Sequence, residues 1–196
     1  MTRTSKFESF VIALIMKFPK GSIWQSRYLC LPFTLVTATL ALTHGSLDPF
    51  SKFFWFALGI VSWTLAEYCL HRWLLHWCAS TKIGKAALDR LHVLHHNNPN
   101  DDSQVCMPLA MQTPIWCLMF VLLNVAGGTH ASLIYTSGFG LMMVIYDITH
   151  YSTHYMPPTN RLLKKLRSHH MSHHFKNGRR KFGVTTTFWD FVFGTQ

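Results

Sequence analysis

Residues 167–177 read RSHHMSHHFKN, and runs of the same kind occur three more times in the chain. His71 and His76 bracket HRWLLH, His92, His95 and His96 fall in HVLHH, and His150 and His154 in HYSTH. The opening run supplies His170, His173 and His174, with His169 immediately before them. Of 13 histidines, 11 therefore belong to four clusters drawn from four separate parts of the chain. A single histidine near a membrane is ordinarily a satisfied polar group, and a larger set can form a pH-titrating surface. Four clusters at helical spacing point instead to a metal site with more than one ion.

Helical geometry sharpens this reading. At about 100° per residue, H-x-x-H-H places three imidazoles within about a 100° arc of one helix, and H-x-x-x-H also presents one face. His71 and His76 fall about 140° apart on an α-helix, so they embrace a site instead of forming a stripe. In the last cluster His170 repeats the position of His92, which leaves His169 matching Leu91 and outside the set. The expected ligands are His71, His76, His92, His95, His96, His150, His154, His170, His173 and His174. Ten imidazoles exceed the coordination shell of one ion and suit two.

Working outward, apolar runs occupy about 28–47, 53–70, 105–126 and 131–149, each near the ~20 residues that cross a bilayer as a helix. Pro32, Pro108, Pro114 and Glu67 interrupt them, and any one run could be a buried core helix. The set of four predicts an all-α integral membrane protein: four transmembrane helices with a cytoplasmic helical cap carrying a histidine-rich dimetal site. Of the 18 Lys and Arg, 17 fall before the first run, between the second and third, or after the fourth; only Lys52 lies on the other side. The positive-inside rule makes the basic side, which also holds every histidine cluster and both termini, cytoplasmic. A net charge of +10 then reads as attraction to anionic lipid headgroups, with no nucleic-acid partner. The membrane is a bacterial inner membrane or the endoplasmic reticulum.

Residues 1–27 are expected to form a cytoplasmic interfacial segment, and 28–196 one membrane-embedded domain. FVIALIM, with Arg3 and Lys6 ahead of it, resembles the apolar part of a signal peptide. No small-x-small site follows, however, and Pro19-Lys20-Gly21 breaks the run. Cys30, Cys69, Cys78, Cys106 and Cys117 show no CxxC pairing and read as small apolar fillers in a reducing setting. GGT followed by His130 predicts a tight turn joining the last two spans as a helical hairpin. Three carboxylates stand one turn ahead of a cluster: Glu67 before His71, Asp89 before His92, Asp147 before His150. Each is a candidate to accept the second N–H of a metal-bound imidazole, with capping or a salt bridge as the alternative. The tail KFGVTTTFWDFVFGTQ reads as an ordered segment packed against the site.

EYCLHRWLLH, LHVLHHNNPND, YDITHYSTHY and HHMSHHFKN…KFGVTTTFWDFVFGT together resemble the fatty acid hydroxylase superfamily of histidine-box di-iron membrane enzymes. The resemblance covers about residues 60–196 and is closest to the fatty acid 2-hydroxylases, through the YDxTHYxxH run and the closing FGVT…FWDxVFGT. It implies two iron ions on the ten histidines named, with zinc able to substitute in purified protein. The implied reaction is O2-dependent hydroxylation of a lipid acyl chain at the 2-position, with catalysis resting on the metal ligands alone. LHVLHH departs from the family's frequent glycine between these histidines. The chain also carries no fused haem domain, so a separate electron donor of small haem cytochrome or ferredoxin type is expected. The alternatives are a carotenoid or sterol hydroxylase or desaturase on the same scaffold, or a non-enzymatic metal-binding membrane protein.

Overall fold

The computed structural model describes residues 5–196, so Arg3 of the N-terminal basic flank lies outside the described residues. Among the described residues all regular structure is helical. Helix α1 (Lys6–Met16) starts at a reciprocal capping box, in which Ser5 accepts from the Glu8 amide and Glu8 from the Ser5 amide. It leaves Phe7, Phe10 and Leu14 exposed. Helix α2 (23–43) runs through a π turn at Ser26–Cys30 into Leu31–Thr43. Pro32, which has no N–H to donate within the helix, follows directly on that π turn.

Helix α3 (49–75) begins at Pro49 because Asp48 caps it, accepting from the amides of Phe50 and Ser51. It continues through a second π turn, Leu70–Leu75. Helix α4 (82–97) contains a third, Asp89–Val93. The long helical run Leu109–Tyr155 is broken at Gly128, whose φ of 77° and ψ of 171° are non-helical. A straight helix would put Trp116 and Thr136 about 30 Å apart. Yet Trp116 donates to the Thr136 carbonyl at 3.0 Å, and Gln112 reaches Asp147 at 2.7 Å. The run is therefore an antiparallel hairpin, α5 (109–127) and α6 (129–155), as the GGT turn predicts. Asn160 then caps α7 (Arg161–Phe175), and α8 (Phe188–Val192) closes the tail.

The helices pack through small residues. A Cβ on Gly59 of α3 would lie 2.1 Å from the Tyr135 carbonyl oxygen of α6, and one on Gly138 2.2 Å from that of Phe56. Glycine thus permits backbone-to-backbone approach, the usual solution where lipid supplies no hydrophobic drive between helices. Trp63, Tyr135, Phe139 and Met143 form the buried core beside this crossing. The outside is apolar instead: Phe33, Val36 and Leu40 on α2, Phe53 and Val61 on α3, and Leu118, Leu122 and Val125 on α5 are exposed. By length and composition two stretches could cross a membrane, Pro49–Leu75 and Asp102–Tyr155, the second containing the hairpin.

Candidate metal centre

The last turns of α3, α4, α6 and α7 meet at one end of the bundle, and each brings its histidines. The ten predicted imidazoles gather into two groups of five. The first holds His71, His76, His92, His96 and His173; the second holds His95, His150, His154, His170 and His174. Within each group the nearest ring nitrogens all lie within 4.8 Å of one another. Each H-x-x-H-H run is divided between the two groups. Each of these two helices lies between the groups, so His92 and His96 face one while His95 faces the other, and His170 and His174 pair against His173. His96 stacks on His174 at 4.2 Å where the groups abut.

The first pair also differs from its α-helical expectation. The His76 amide donates to the His71 carbonyl, a five-residue bond that sets residue i+5 above residue i. The π turn therefore does for His71 and His76 what α spacing does for His150 and His154. Each group then has one pair from a long helix, one i,i+4 pair from a shorter helix, and one single histidine.

The donor geometry suits a metal ion. Nε2 atoms approach at 3.1 Å for His71–His92, 3.0 Å for His76–His173 and 2.9 Å for His92–His96. In the second group the spacing is 3.1 Å for His95–His150, 2.9 Å for His154–His170 and 3.0 Å for His170–His174. Nitrogens bound at about 2.1 Å to one centre and at right angles to each other lie about 3.0 Å apart. His71 and His173 direct Nδ1 at the carbonyls of Phe182 (2.5 Å) and Arg180 (2.7 Å), so their inward Nε2 atoms carry lone pairs. Converging lone pairs repel unless a cation lies between them. Burial, then neighbouring imidazoles, hold His76 down to about 4, His96 to about 3 and His95 to about 2, so all three are neutral imidazoles at neutral pH.

His169 stands outside both groups and bonds to Asp190 Oδ2 at 3.0 Å. The three carboxylates do not support imidazoles. Glu67 accepts from the amides of Val184 (2.5 Å) and Thr185 (3.0 Å) and from the Thr185 hydroxyl. Those tail amides have no sheet or helix partner and need an acceptor once buried. Asp147 accepts from the Ser26 hydroxyl, the Met107 amide and Gln112, and ties α2 to the hairpin. Among the described residues no hydrogen bond joins Asp89 to His92, although Asp89 opens the π turn that carries His92. The supporting acceptors are instead backbone carbonyls of residues 180–182, which no side-chain pattern marks. The available signal was the tail itself, rich in Gly, Thr and aromatic residues.

The fatty acid hydroxylase family matches residues 56–195. The chain is 36% identical over 139 residues to the dihydroceramide fatty acyl 2-hydroxylase FAH1 of Arabidopsis thaliana, covering 70% of this chain and 58% of that protein. It is 37% identical over 192 residues to the ceramide very long chain fatty acid hydroxylase SCS7 of Saccharomyces cerevisiae, covering 90% and 46%. The human fatty acid 2-hydroxylase is 32% identical over 148 residues, covering 71% and 38%. A solved structure of full-length scs7p, with only its hydroxylase domain visible, superposes with a TM-score of 0.83 at 27% identity, covering 98% of this chain and 80% of that one. The chain spans about half the length of the curated relatives it matches.

Proposed function

The chain belongs to the fatty acid hydroxylase family, and from that premise we propose that it is a membrane oxidoreductase that hydroxylates a lipid acyl chain at the carbon next to the acyl carbonyl. The observation that carries this reading is the pair of abutting five-imidazole groups, with lone pairs converging at about 3 Å. His71, His76, His92, His96 and His173 hold one iron; His95, His150, His154, His170 and His174 hold the other. When bound, the two irons supply O2 activation and oxidation of an unactivated C–H bond. The protein's own work is to orient the imidazoles, place the acyl carbon and exclude water.

Helix length supports four spans. At 1.5 Å per residue α2 and α5 extend about 30 Å, the thickness of the hydrocarbon core, whereas α3 and α6 extend about 40 Å. The excess turns of α3 and α6 carry His71, His76, His150 and His154 out at the same end, the end rich in Lys and Arg. A cytoplasmic cap of α4, α7 and the tail then closes over the metals. The expected boundary between residues 27 and 28 falls inside α2 (23–43), so the interfacial segment is α1 and the loop after it, with Phe7, Phe10 and Leu14 facing lipid, and the hydroxylase domain begins at α2. An apolar cavity of about 430 Å³ among Phe33, Thr34, Gln112, Trp116 and Met143 lies on the membrane side of the centre. Met143 is two turns before His150, so an acyl tail lodged there keeps its polar end at the interface. Two electrons come from a redox protein of small haem cytochrome or ferredoxin type.

Expression in a host that lacks 2-hydroxylated lipids, under labelled O2, tests the reading. We expect one labelled oxygen at C2 of acyl chains and its loss in His170→Ala. Label on a carotenoid or sterol, or a new double bond, would move the protein to the alternative reactions of this scaffold. Full metal with no oxidised lipid would leave a metal-binding protein.

A further inference from the structure

The two halves of the centre are supported differently. In the first group His71 and His173 each direct Nδ1 at a backbone carbonyl, of Phe182 and Arg180. In the second, the Nδ1 atoms of His95, His150, His170 and His174 are buried and have no protein partner. An acceptor on the outer nitrogen fixes the tautomer, holds the ring and makes the inner nitrogen a better donor.

Both carbonyls belong to one short segment, and two buried acids set its position. Asp190 Oδ1 accepts from the Phe182 amide (2.8 Å) and the Thr195 hydroxyl (2.7 Å). Its Oδ2 accepts from the Gly183 amide (2.8 Å) and from His169 (3.0 Å). Burial works against the Asp190 charge, but these four donors outweigh it and hold the carboxyl below its usual range. Glu67 fixes the next two residues, Val184 and Thr185, to α3. Gly183 leaves no room for a side chain, since a Cβ there would lie 2.0 Å from the Thr186 carbonyl oxygen. The strap is closed by Lys181, whose amide donates to the Thr195 carbonyl at 2.7 Å and whose φ is +65°.

We propose that the strap 180–195, with Asp190 as its positioning residue, makes the two metal positions unequal: the His71/His173 position is the tight one and the His150/His170 position the exchangeable one. This rests on the two-ion reading of the site. Asp190 touches no metal; it acts by placing two carbonyls, and through them two imidazoles. It also gives His169 a role that requires no place among the ligands.

The test is release of zinc from the purified, zinc-loaded full chain as a chelator is raised, read as ions per protein. We expect two steps of one ion each, separated by roughly 10–100-fold in chelator. His154→Ala should remove the early step and His76→Ala the late one. Asp190→Asn should bring the late step down by roughly ten-fold and leave the early step in place. Thr195→Val, which removes one donor to the same carboxylate, should move the late step in the same direction by less, and serves if Asp190→Asn does not accumulate. A single step for both ions, or equal movement of both steps in the two strap variants, or movement of neither, would overturn the proposal. A loss of the two-ion reading looks different: fewer than two ions bound, and no change in either His76→Ala or His154→Ala.

Discussion

His169 and His170 are adjacent, yet one faces Asp190 and the other is fully buried in the second imidazole group. His170→Ala should abolish hydroxylation and lower bound metal by about one ion, because its Nε2 approaches those of both His154 and His174. His169→Ala should retain both ions at saturating zinc, since its bond to Asp190 affects affinity and not ligand number. Metal analysis of the two proteins side by side decides this, and equal loss from both would put His169 among the ligands. Glu67 invites a different experiment. Its two oxygens receive three donors from the tail, so Glu67→Leu leaves two buried amides and the Thr185 hydroxyl without their acceptor. The expected cost is about 1–3 kcal/mol, the range for a buried polar group left without its partner. Limited proteolysis should then cut the tail after residue 180 before any other segment. Unchanged protection of the tail would mean that Glu67 does not anchor it.

At the scale of elements, three π turns interrupt α2, α3 and α4, and two of them lie in histidine clusters. Such turns inside α-helices recur at functional sites because they re-aim side chains without ending the helix. In α3 the π turn converts a five-residue spacing into a shared face, which α geometry forbids. The α3–α6 crossing depends on glycine for a steric reason. Gly59→Ala puts a methyl 2.1 Å from a backbone oxygen that cannot swing away, so the helices must separate. We expect a loss of about 1–3 kcal/mol, seen as a lower melting temperature in detergent and weaker metal retention. Gly128→Ala meets nothing within 4 Å but must keep a positive φ with extended ψ, a region essentially reserved for glycine, which costs about 1–3 kcal/mol and leaves the metal groups alone. If Gly59→Ala melts and binds metal like the parent protein, the close crossing is not what holds α3 against α6.

At the scale of the whole molecule, charge and helix length assign the same side to the metal centre. In the proposed four-span topology Lys and Arg divide 17 to 1, and the excess lengths of α3 and α6 project on the side that holds the 17. Single cysteines placed near Lys52 and near Gln196, in a background without the five native ones, should label from opposite sides of sealed vesicles. Reaction of the Gln196 position from outside intact cells would defeat the topology. The outer ends agree internally: Gly45, after α2, lies against His130, after the hairpin turn, so both loops belong to one end of the bundle. The opposite end is joined by Lys20, which reaches Ser103 at 2.8 Å, and by Arg90, which donates to the Phe18 carbonyl.

Sequence by itself picked out the side chains that gather into the two imidazole groups: ten histidines, in four clusters, near the ends of apolar helices, with His169 outside both. It could do so because donor chemistry belongs to residue type and helical spacing is local. The hairpin at GGT was legible for the same reason, since a glycine there permits a φ that other residues avoid. Only the tertiary structure decided how the ten divide. One H-x-x-H-H run serves two groups because its helix lies between them, a relation no local period encodes. Likewise Glu67, Asp89 and Asp147 sit one turn from histidines in sequence, yet their bonds are set by whichever unpaired donors the fold buries beside them. For Glu67 those donors are amides 117 and 118 residues away. The carbonyls that do orient His71 and His173 are backbone atoms, identical in every residue, and only the path of the chain brings them to the metal centre.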